Sequence, residues 1–349
     1  MMGDETGIHN LMDRKNFSLN SPRRATLKTI AEEIGLGITT VSRALKDAPD
    51  IGADTKQRVR DVAERQGYRP NRAGVRLRTG KTHVIALILS VDEEGMGSAS
   101  HILYGLSEAL SGTPYHLIMT PHFISSDPLE PIRYIVETGS ADGVVISRTE
   151  PDDERVRMLM DNNIPFVTHG RTEMGCDHAW HDFDNERFVF EALERLKKRG
   201  RRHIAVLAPP ASLTCSRHVQ AGIDAAMALG GLEIAPLSVT TDSSIAEIRE
   251  DVLGLLASDN PPDGLISIFG DGAIAMLSAA QAADRLVGED IDIVCKQPHD
   301  VLQWLHPQVI AINEDNRETG RQLGTLLLAA IDGANPESLT SLLPPVWAD

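Results

Sequence analysis

Short β-rich runs alternate with helical patterns from Thr82 to the end of the 349-residue chain, and this alternation constrains the fold most. The candidate strands are 84–89, 116–119, 143–147, 166–168, 203–207, 237–240, 264–268, 291–294 and 309–312. The helices between them include 102–110, 155–162, 186–198, 221–229, 246–256, 273–283 and 319–331. Strands joined through crossover helices form parallel sheets that are covered on both faces. This stretch is long for one doubly wound domain, so two α/β lobes with a cleft between them are predicted.

Basic residues are concentrated in one block near the N-terminus. The whole chain carries a net charge of −16, yet residues 23–81 contain 14 Lys and Arg against 7 Asp and Glu. Residues 82–132 contain neither Lys nor Arg. A basic head on an acidic body is typical of a DNA-binding module joined to a sensor or an enzyme. The acidic body also discourages non-specific binding to DNA.

Cysteine content and hydropathy further restrict the class of protein to which the chain can belong. Cys176, Cys215 and Cys295 are odd in number and far apart, which predicts free thiols instead of disulfides or a zinc site. No apolar run approaches the length of about 18 residues that a membrane helix needs. No charged-then-apolar signal segment is present near the N-terminus, so a cytoplasmic protein is expected.

Four segments follow from these patterns. Residues 1–22 are polar and without period, and we expect a flexible tail; residues 23–70 form the DNA-binding domain; residues 71–81 form a basic connector; residues 82–349 form the two-lobed body. In the head, Thr26 caps a first helix that Gly35 ends, a second helix runs over 38–45, and a third opens at Asp54 and Thr55. Two helices joined by a short glycine-containing turn indicate a helix-turn-helix.

Small polar side chains at the start of the second helix suit the major groove of DNA. Thr39 and Thr40 can reach base edges or a thymine methyl, and Ser42 and Arg43 can meet a phosphate or a guanine. On spacing alone, an ordinary αα-hairpin with a solvated face remains an alternative.

The head closely resembles the LacI-type (LacI/GalR) bacterial transcriptional regulators. The likeness is carried by Thr-Leu-x-x-Ile-Ala-x-x-x-Gly from Thr26, by Thr-Val-Ser-Arg-Ala-Leu from Thr40, and by Gly-Tyr-Arg-Pro-Asn-Arg-Ala from Gly67. It spans residues 26–77 almost without a gap. The resemblance implies an α/β chain with a three-helix helix-turn-helix head, a hinge helix, and a two-lobed effector domain similar to periplasmic sugar-binding proteins.

The resemblance also implies roles for individual residues of the head. Ile38, Thr39 and Arg43 lie where the family reads operator bases, and Leu77 lies where it inserts a leucine into the minor groove. Such an insertion kinks DNA, and the hinge around it would order only on the operator. Phosphate contact or backbone bracing is implied for Thr26, Thr40, Ser42, Thr55 and Asn71, and the same surface includes Leu27, Lys28, Lys46 and Tyr68. Gly37 departs from the family, which more often has Ser or Thr there, so a helix cap is lost.

The body offers candidate effector-binding residues. In open α/β sheets, ligands bind beyond the carboxyl ends of the strands. This rule selects Ser90, Asp92, Arg148, His169, Arg171, Arg217, Asp271 and Lys296. Carboxylates and arginines at such positions can bind vicinal sugar hydroxyls. The body resembles the family's effector domain with two departures: Val219 replaces an arginine, for which Arg217 is the candidate substitute, and Cys295-Lys296-Gln297-Pro298 replaces Gly-Tyr/Phe-Asp-Asp. Lys296 and Gln297 could donate to sugar hydroxyls or to an anionic group, or Lys296 could be a surface lysine.

Two other features have competing interpretations. Trp180 could stack on a sugar face, although a lone tryptophan is more often packed in the core. The segment from Cys176 to Asp184 contains His178 and His181, but in an extended segment these two side chains point to opposite faces, so a metal site is not predicted. No phosphate loop, Gly-x-Ser-x-Gly or His-Glu-x-x-His occurs, and we expect no metal, no cofactor and no catalytic residue.

These observations predict a sugar-responsive repressor that binds a pseudo-palindromic operator as a homodimer, because one helix-turn-helix contacts too little DNA for specificity. The effector is expected to be a monosaccharide or a disaccharide. A co-repressor-dependent regulator of the same family is the first alternative, and an enzyme fused to a DNA-binding head is the second. A plain exported sugar-binding protein does not fit the basic head. No leucine heptads follow Leu343, which favours a dimer over a tetramer.

Overall fold

The computed structural model describes residues 25–68, 76, 80–90, 98–297 and 301–347. The chain divides into two compact units, Met1–Gly80 and Lys81–Asp349, called here the head and the body. The predicted flexible tail, residues 1–22, lies outside the described residues, as does most of the predicted hinge, residues 71–81. No helix in the described part of the chain combines the length and apolar character needed to cross a membrane.

Three short helices pack around one small core in the head. They are α1 (Leu27–Ile34), α2 (Ile38–Leu45) and α3 (Ala53–Arg65). Each helix contributes at least one fully buried side chain to this core, namely Ile30, Val41 and Val59. Thr26 closes a reciprocal capping box with Thr29, which satisfies free N–H groups at the start of α1. The predicted helix-turn-helix is confirmed, with α3 beginning one residue before the predicted start.

The body contains two parallel sheets, and each sheet defines one lobe. The first lobe has strand order β11-β5-β4-β3-β1-β2 and the second has β10-β9-β8-β6-β7. The strands of the first lobe are β1 (Val84–Ser90), β2 (His116–His122), β3 (Gly143–Ile146), β4 (Phe166–His169), β5 (Ala179–Phe183) and β11 (Thr340–Leu343). Those of the second are β6 (His203–Leu207), β7 (Glu233–Ala235), β8 (Gly264–Ser267), β9 (Asp292–Gln297) and β10 (Ile310–Asn313). The predicted α/β class with two parallel-sheet lobes is confirmed.

Helices cover both faces of each sheet. Those of the first lobe are α4 (Ser98–Ala109), α5 (Glu130–Thr138), α6 (Glu154–Asp161) and α12 (Asn316–Ile331). Those of the second are α7 (Asn185–Lys198), α8 (Thr214–Ala228), α9 (Ile245–Leu256), α10 (Gly270–Ala282) and α11 (Val301–Leu305). Strands such as Gly143–Ile146 are buried along their whole length, because a parallel sheet with two covered faces exposes no side of its central strands.

Helices α4 and α12 approach each other through two glycines. A Cβ atom at Gly105 would lie 1.9 Å from the carbonyl oxygen of Arg317, and one at Gly320 would lie 2.2 Å from that of Ile102. Any side chain at either position would therefore push the helices apart.

The chain crosses between the lobes three times. It passes from β5 into α7 at Asp184, and from β10 back into α12 at Glu314 and Asp315. After β11 it returns to the second lobe, where Trp347 stacks on Phe188 with ring centroids 5.6 Å apart. The first two crossings border the space between the lobes, through Phe183 and Asn185 and through Glu314 and Asn316.

Several predicted elements were wrong or missing. Residues 237–240 do not form the predicted strand; the partner of β6 is Glu233–Ala235, and Pro236 ends it because proline lacks the N–H that a ladder needs. Helix α8 begins at Thr214, seven residues before the predicted start at 221. The first turns of α8 are polar, so apolar residues at helical spacing appear only further along the helix. Strands β5 and β11 and helices α5 and α11 were not predicted as elements.

Candidate DNA-binding face and effector cleft

The outer face of α2 presents the side chains that the sequence singled out. Ile38 is 49% exposed, and Thr39 and Arg43 are also exposed. The opposite face is buried through Val41 and Ala44. Since residues four apart share a helix face, the exposed positions form one stripe of mixed apolar, hydroxyl and cationic groups. Such a stripe matches the chemistry of base edges in a major groove.

The other predicted DNA-binding residues of the head surround this stripe. Thr26, Lys28 and Lys46 are exposed, and Leu27, Thr40, Ser42, Thr55 and Tyr68 are half-buried. Leu27 and Tyr68 pack against the core of the head, so their contribution there is structural. Asn71 and Leu77 lie outside the described residues.

The ion pairs of the head place cations beside α2. The guanidinium of Arg43 lies 2.6 Å from the carboxylate of Asp50, and both side chains are about half exposed. Lys56 and Arg60 both contact Asp47, and their hydrogen bonds and charges hold the pKa of Asp47 below its ordinary value. The exposed pair of Arg43 and Asp50 can exchange its carboxylate for another anion, including a phosphate.

Gly37 leaves α2 without a side-chain cap. It occupies the N-cap position with an extended backbone, and no side chain accepts a hydrogen bond from the free N–H groups there. The predicted consequence of this departure from the family is therefore present. The free N–H groups at the start of α2 can still bind an anion.

A cleft of about 1090 Å³, including its open part, lies between the lobes of the body. Most of its polar lining comes from the ends of strands and from the first turns of the helices at the crossings. The polar and ionisable lining residues are Ser147, Arg148, Thr149, His169, Asp182, Asn185, Cys215, Thr241, Lys296, Gln297, Glu314 and Asn316. Leu213, Ile268, Phe183 and Phe269 add an apolar wall. Mixed walls of this type suit a ligand with both hydroxyl groups and C–H faces.

Lys296 is the most enclosed cation of the cleft. It is 7% exposed, and its Nζ lies 2.8 Å from Glu314 Oε2 and donates to Asn185 Oδ1 at 3.1 Å. The ammonium also lies 4.3 Å from the centroid of the Phe183 ring. The carboxylate of Glu314, the amide oxygen of Asn185 and the Phe183 ring together replace water around the ammonium. The interpretation of Lys296 as a surface lysine is therefore wrong.

Gln297 is more deeply buried than Lys296, and only one of its two polar side-chain atoms has a hydrogen-bond partner among the described residues. It is 1% exposed, and its Oε1 accepts a hydrogen bond from the Leu302 N–H at 3.2 Å. Its Nε2 has no hydrogen-bond partner among the described residues. Rotating the amide would place its NH₂ against the N–H of Leu302, so the orientation is fixed.

Arg148 joins the two lobes across the cleft. It follows β3 with φ +56°, a backbone conformation that few residues other than glycine adopt. Its two guanidinium nitrogens donate to the two carboxylate oxygens of Asp242 at 3.0 and 2.6 Å. Next to it, the carbonyl of Thr149 accepts from the Thr214 N–H at 2.9 Å. These contacts connect the end of β3 to the second lobe.

His169 and Asp182 form the other side of the cleft. Burial lowers the pKa of His169, while Glu314 and Asp182 act in the opposite direction. The carboxylate of Asp182 accepts from Arg171 Nε at 2.8 Å, and His218 Nδ1 lies 3.8 Å from it. The imidazole of His169 is therefore neutral near pH 7 and can both donate and accept a hydrogen bond.

Three of the predicted effector residues do not line the cleft. Arg171 instead binds Asp182 and lies over the Trp180 ring, with Cζ 5.7 Å from its centroid. Arg217 forms an ion pair with Glu173 and is 57% exposed on the outer face of α8. Asp271 lies in the first turn of α10, while its neighbour Gly270 lines the cleft. Successive side chains alternate between the two faces of a strand and rotate around the axis of a helix. A residue next to a cleft residue in sequence therefore often faces away from the cleft.

Arg148, His169 and Lys296 do line the cleft as expected. Asp92 and the side chain of Ser90 lie outside the described residues. Trp180 is not among the lining residues. His178 contacts Thr168, whereas His181 contacts Thr319 of α12, so the two imidazoles have separate surroundings. In the part of the chain that the structure describes, no three His, Cys, Asp or Glu side chains are grouped to hold a metal ion.

Sequence reasoning missed several residues of the cleft. Asp182, Asn185, Glu314 and Asn316 lie where the chain crosses between the lobes. The available signal was the pair of acidic and amide residues that opens each of α7 and α12. The pairs are Asp184-Asn185 and Asp315-Asn316, and the crossings that they mark cannot be located until the strand order is known. The predicted free thiols are confirmed, and burial raises the pKa of Cys215, at the cleft wall, to about 11.

Both units match family models. Residues 26–71 match the model described as bacterial regulatory proteins, lacI family, and residues 193–348 match the periplasmic binding protein-like domain. The chain is 31% identical over 323 residues to the HTH-type transcriptional regulator AglR of Rhizobium meliloti (strain 1021), covering 89% of this chain and 90% of the relative. It is 31% identical over 331 residues to RafR of Escherichia coli, another HTH-type transcriptional regulator, covering 92% and 96%.

Solved structures have the same fold. The Lac repressor dimer bound to operator and the anti-inducer ONPF matches with a TM-score of 0.79 at 20% identity, covering 94% of this chain and 98% of that one. The transcriptional regulator CelR in complex with cellobiose matches with a TM-score of 0.67 at 23% identity, covering 93% and 99%. At these identities the likeness establishes the fold alone.

Proposed function

This chain belongs to the lacI family of bacterial regulatory proteins, and on that premise we propose that it represses carbohydrate uptake or catabolism genes until a small sugar releases it from a palindromic operator. Its relatives are DNA-binding transcriptional regulators, which are not enzymes. The observation that carries the proposal is that one chain joins an exposed recognition stripe on α2 to a cleft lined with hydrogen-bonding groups at strand ends. The first reads DNA and the second senses a polar solute.

Ile38, Thr39 and Arg43 are proposed to contact bases, because they are the exposed residues at and after the start of α2. Arg43 would exchange Asp50 for the acceptors of a guanine, a bidentate contact worth about 1–3 kcal/mol of discrimination. Lys28, Lys46 and the hydroxyls of Thr26, Thr40, Ser42 and Thr55 are proposed to contact phosphates. Asn71 and Leu77 keep their proposed roles as phosphate contact and minor-groove wedge.

The effector is proposed to bind between the lobes against Arg148, His169 and Lys296. Asp182, Asn185 and Glu314 join this set because they line the same cleft. Arg171 is proposed to orient Asp182 without touching the ligand. The relative CelR has been solved with cellobiose, which supports a monosaccharide or disaccharide as the chemical class.

A homodimer is proposed because exposed apolar side chains occur on both lobes. Trp304 is 85% exposed and Leu305 is 73% exposed at α11. In the first lobe, Tyr104 on α4 is 66% exposed, and the edge strand β2 exposes Ile118. Unpaired edge strands and exposed aromatic residues are typical of surfaces that a second subunit covers. A dimer would present two recognition helices to a palindrome, and a DNA-binding regulator of this kind works in the cytoplasm.

Effector binding is proposed to shift the population between two arrangements of the lobes, only one of which is compatible with tight operator binding. A ligand shifts such an equilibrium only through its differential affinity for the two states. The co-repressor alternative uses the same cleft with the opposite preference. The two hypotheses predict opposite effects of the effector on the affinity for operator DNA, and a DNA-binding titration measures that effect directly.

Fluorescence anisotropy with labelled DNA from immediately upstream of the chain's own gene tests the function. At fixed salt, we expect saturable binding that one monosaccharide or disaccharide weakens. Arg43→Ala should lower affinity by about 10- to 100-fold, as loss of a bidentate guanine contact does. Arg249→Ala, which removes an arginine of α9 in the body, is the matched control and should leave binding unchanged.

Two outcomes would change the conclusion. DNA binding that requires a sugar would support the hypothesis of a co-repressor-dependent regulator. Equal affinity for all DNA sequences in the wild type and in Arg43→Ala would contradict sequence-specific regulation.

A further inference from the structure

We infer that Arg23 and Arg24, which directly precede the head, insert into the minor groove of DNA on the outer side of the half-site that α2 reads. The inference rests on the proposed DNA-binding function of the head and adds base pairs that the recognition helix does not reach. Three observations carry it: a run of cations before α1, an uncompensated positive charge at the start of α1, and the fixed place where the chain enters the head.

A run of cations without acids leads into the first helix. Residues 14–31 contain five Lys and Arg and no Asp or Glu, although the whole chain has a net charge of −16. Arg23 and Arg24 precede the described residues, which begin at residue 25, and they also precede the match to the lacI family model, which begins at residue 26. A local positive charge of this kind on an acidic chain indicates a polyanionic partner.

The start of α1 has no acidic group to balance its helix dipole. Its first turn contains no Asp or Glu, and its capping box is closed by the hydroxyl of Thr29. The capping box of α9, by contrast, is closed by the carboxylate of Glu247. The acidic residues of α1, Glu32 and Glu33, lie at its other end. The N-terminus of α1 therefore keeps the partial positive charge that an acidic residue usually offsets.

Three full positive charges lie at this same end of α1. Lys28 is in the first turn with its side chain 73% exposed, and Arg23 and Arg24 come immediately before the cap at Thr26. Cations at a helix N-terminus are unfavourable in the free protein, because they repel the positive end of the dipole. The phosphates of DNA would remove this repulsion, so the arrangement favours the DNA-bound state over the free one.

The chain enters the head at a fixed place. The N–H of Thr26 donates to Thr29 Oγ1 at 2.9 Å, and Thr29 Oγ1 donates to Gln66 Oε1 at 3.0 Å, which ties the start of α1 to the end of α3. Thr26 is exposed and is proposed to contact a phosphate. At about 3.3 Å per residue, the Cα atoms of Arg23 and Arg24 lie within about 10 Å of that phosphate. The minor groove is only about 6 Å wide, so both guanidinium groups can reach it.

The other proposed contacts decide which groove is open to the two arginines. Helix α2 is proposed to occupy the major groove, and Leu77 is proposed to insert into the minor groove between the half-sites. The minor groove on the outer side of each half-site remains. A·T-rich DNA narrows this groove and deepens its negative potential, which attracts arginine, whereas the N2 amino group of guanine obstructs it. Arginine-bearing arms beside other helix-turn-helix heads bind in this way. We therefore expect a preference for A·T pairs in the outer flanks.

Three versions of one operator duplex test the groove contact by fluorescence anisotropy with the full chain. The outer flanks consist of A·T, G·C or inosine·C pairs, and all other positions are identical. Inosine lacks the N2 amino group of guanine, so an inosine·C pair combines the major-groove pattern of G·C with the minor-groove pattern of A·T. We expect the wild type to bind the A·T and inosine·C duplexes at least 10-fold more tightly than the G·C duplex.

The double variant Arg23→Ala, Arg24→Ala should lose this preference. It should bind the three duplexes equally, and at least 10-fold more weakly than the wild type binds the A·T duplex. The slope of log affinity against log salt concentration should become shallower by about 1 to 2, because fewer counterions are released. The matched control is Lys198→Ala, Arg285→Ala, which removes two exposed cations from the body and should leave affinity and flank preference unchanged.

Hydrogen exchange in the absence of DNA tests the charge argument separately. In the double variant, the amides of α1 should be protected as well as in the wild type or better, because two charges that repel the helix dipole are gone. Weaker protection would show that Arg23 and Arg24 stabilise the head itself, and would overturn the charge argument.

The outcomes distinguish this inference from the proposed function. A double variant that binds the A·T duplex as tightly as the wild type overturns the inference. Wild-type affinity that is the same for all three flanks overturns the groove contact, even if the arginines strengthen binding. In both cases, a loss of affinity in Arg43→Ala by the same factor on all three duplexes leaves the proposed regulator in place. Absence of sequence-specific binding in the wild type overturns both.

Discussion

Arg148 and Asp242 form an ion pair with two hydrogen bonds, of 3.0 and 2.6 Å, that connects the two lobes of the body. Arg148 follows a strand of the first lobe and Asp242 precedes a helix of the second. The side chains are only 19% and 22% exposed, so the pair is partly shielded from water. The arrangement of the lobes therefore depends in part on a contact that lines the proposed ligand site.

Asp242→Asn is expected to lower the free energy of unfolding of the body by about 1 kcal/mol, because one partner of a partly shielded bidentate pair loses its charge. Urea unfolding followed by tryptophan fluorescence measures this, since all three tryptophans lie in the body. A double-mutant cycle with Arg148→Gln isolates the pair from the other contacts of either residue. A coupling energy near zero would show that the pair does not stabilise the observed arrangement of the lobes.

Gly320→Ala is expected to destabilise the body by about 2–3 kcal/mol, because overpacking forces two helices apart. The added methyl group would lie 2.2 Å from the carbonyl oxygen of Ile102. Gly254→Ala is the matched control: this helical glycine has no neighbouring atom within 4 Å of a Cβ. There the change should stabilise by about 0.5–1 kcal/mol through lower entropy of the unfolded chain. Equal effects at both positions would contradict close helix packing.

The stability of the body should fall as the pH is lowered from about 6.5 to about 4. Burial lowers the pKa of His181 from 6.5 to about 4; His169 adds to this effect and Glu314 opposes it. Over this range the unfolded chain binds a proton at His181 that the folded chain does not, so protonation favours unfolding. The limit for one such histidine is about 3 kcal/mol.

His181→Gln should flatten the pH dependence of the unfolding free energy. His116→Gln, at an exposed position on β2, is the control. Lowered pKa values of His169, His178 and His218, again from burial, contribute in the same direction and should persist in the variant. A slope between pH 4 and 6.5 that is identical in wild type and His181→Gln would contradict the assignment.

Trp304→Glu is expected to weaken self-association by about 10-fold or more, because buried aromatic residues dominate the energetics of interfaces. Sedimentation velocity across a range of protein concentrations measures the change. Leu229→Glu, which alters an exposed apolar residue at the end of α8, is the control. If Trp304→Glu remains as dimeric as the wild type, α11 lies outside the subunit interface.

The sequence predicted the head more accurately than the body. The capping threonine Thr26, the positive-φ Gly35 and the apolar period of α2 are local signals, and the structure agrees with all three. The edge strand Glu233–Ala235 and strand β5, which lies between β4 and β11, depend on partners that are distant in sequence. No local pattern reveals such partners. Strand β5, for instance, contains His181 and Asp182 and lacks the apolar run of a central strand.

The cleft was predicted only in part for a similar reason. Strand ends can be found from sequence, and Arg148, His169 and Lys296 were found in this way. Asn185 and Glu314 lie at crossings between the lobes, and their proximity to Lys296 depends on how two sheets are placed in space. Ion pairing also could not be anticipated, and it alters what the cationic residues can bind.

The three crossings between the lobes restrict the mechanics of the body. A single linker would let one lobe twist and slide against the other in many directions. Three connecting segments together form a hinge. They resist twist and translation of one lobe against the other, and they leave bending as the easiest motion. A bound solute therefore shifts the bending angle between the lobes, in the direction of the state that it binds more tightly. Chemically different solutes would then act on one shared coordinate and differ in the direction and extent of the shift along it.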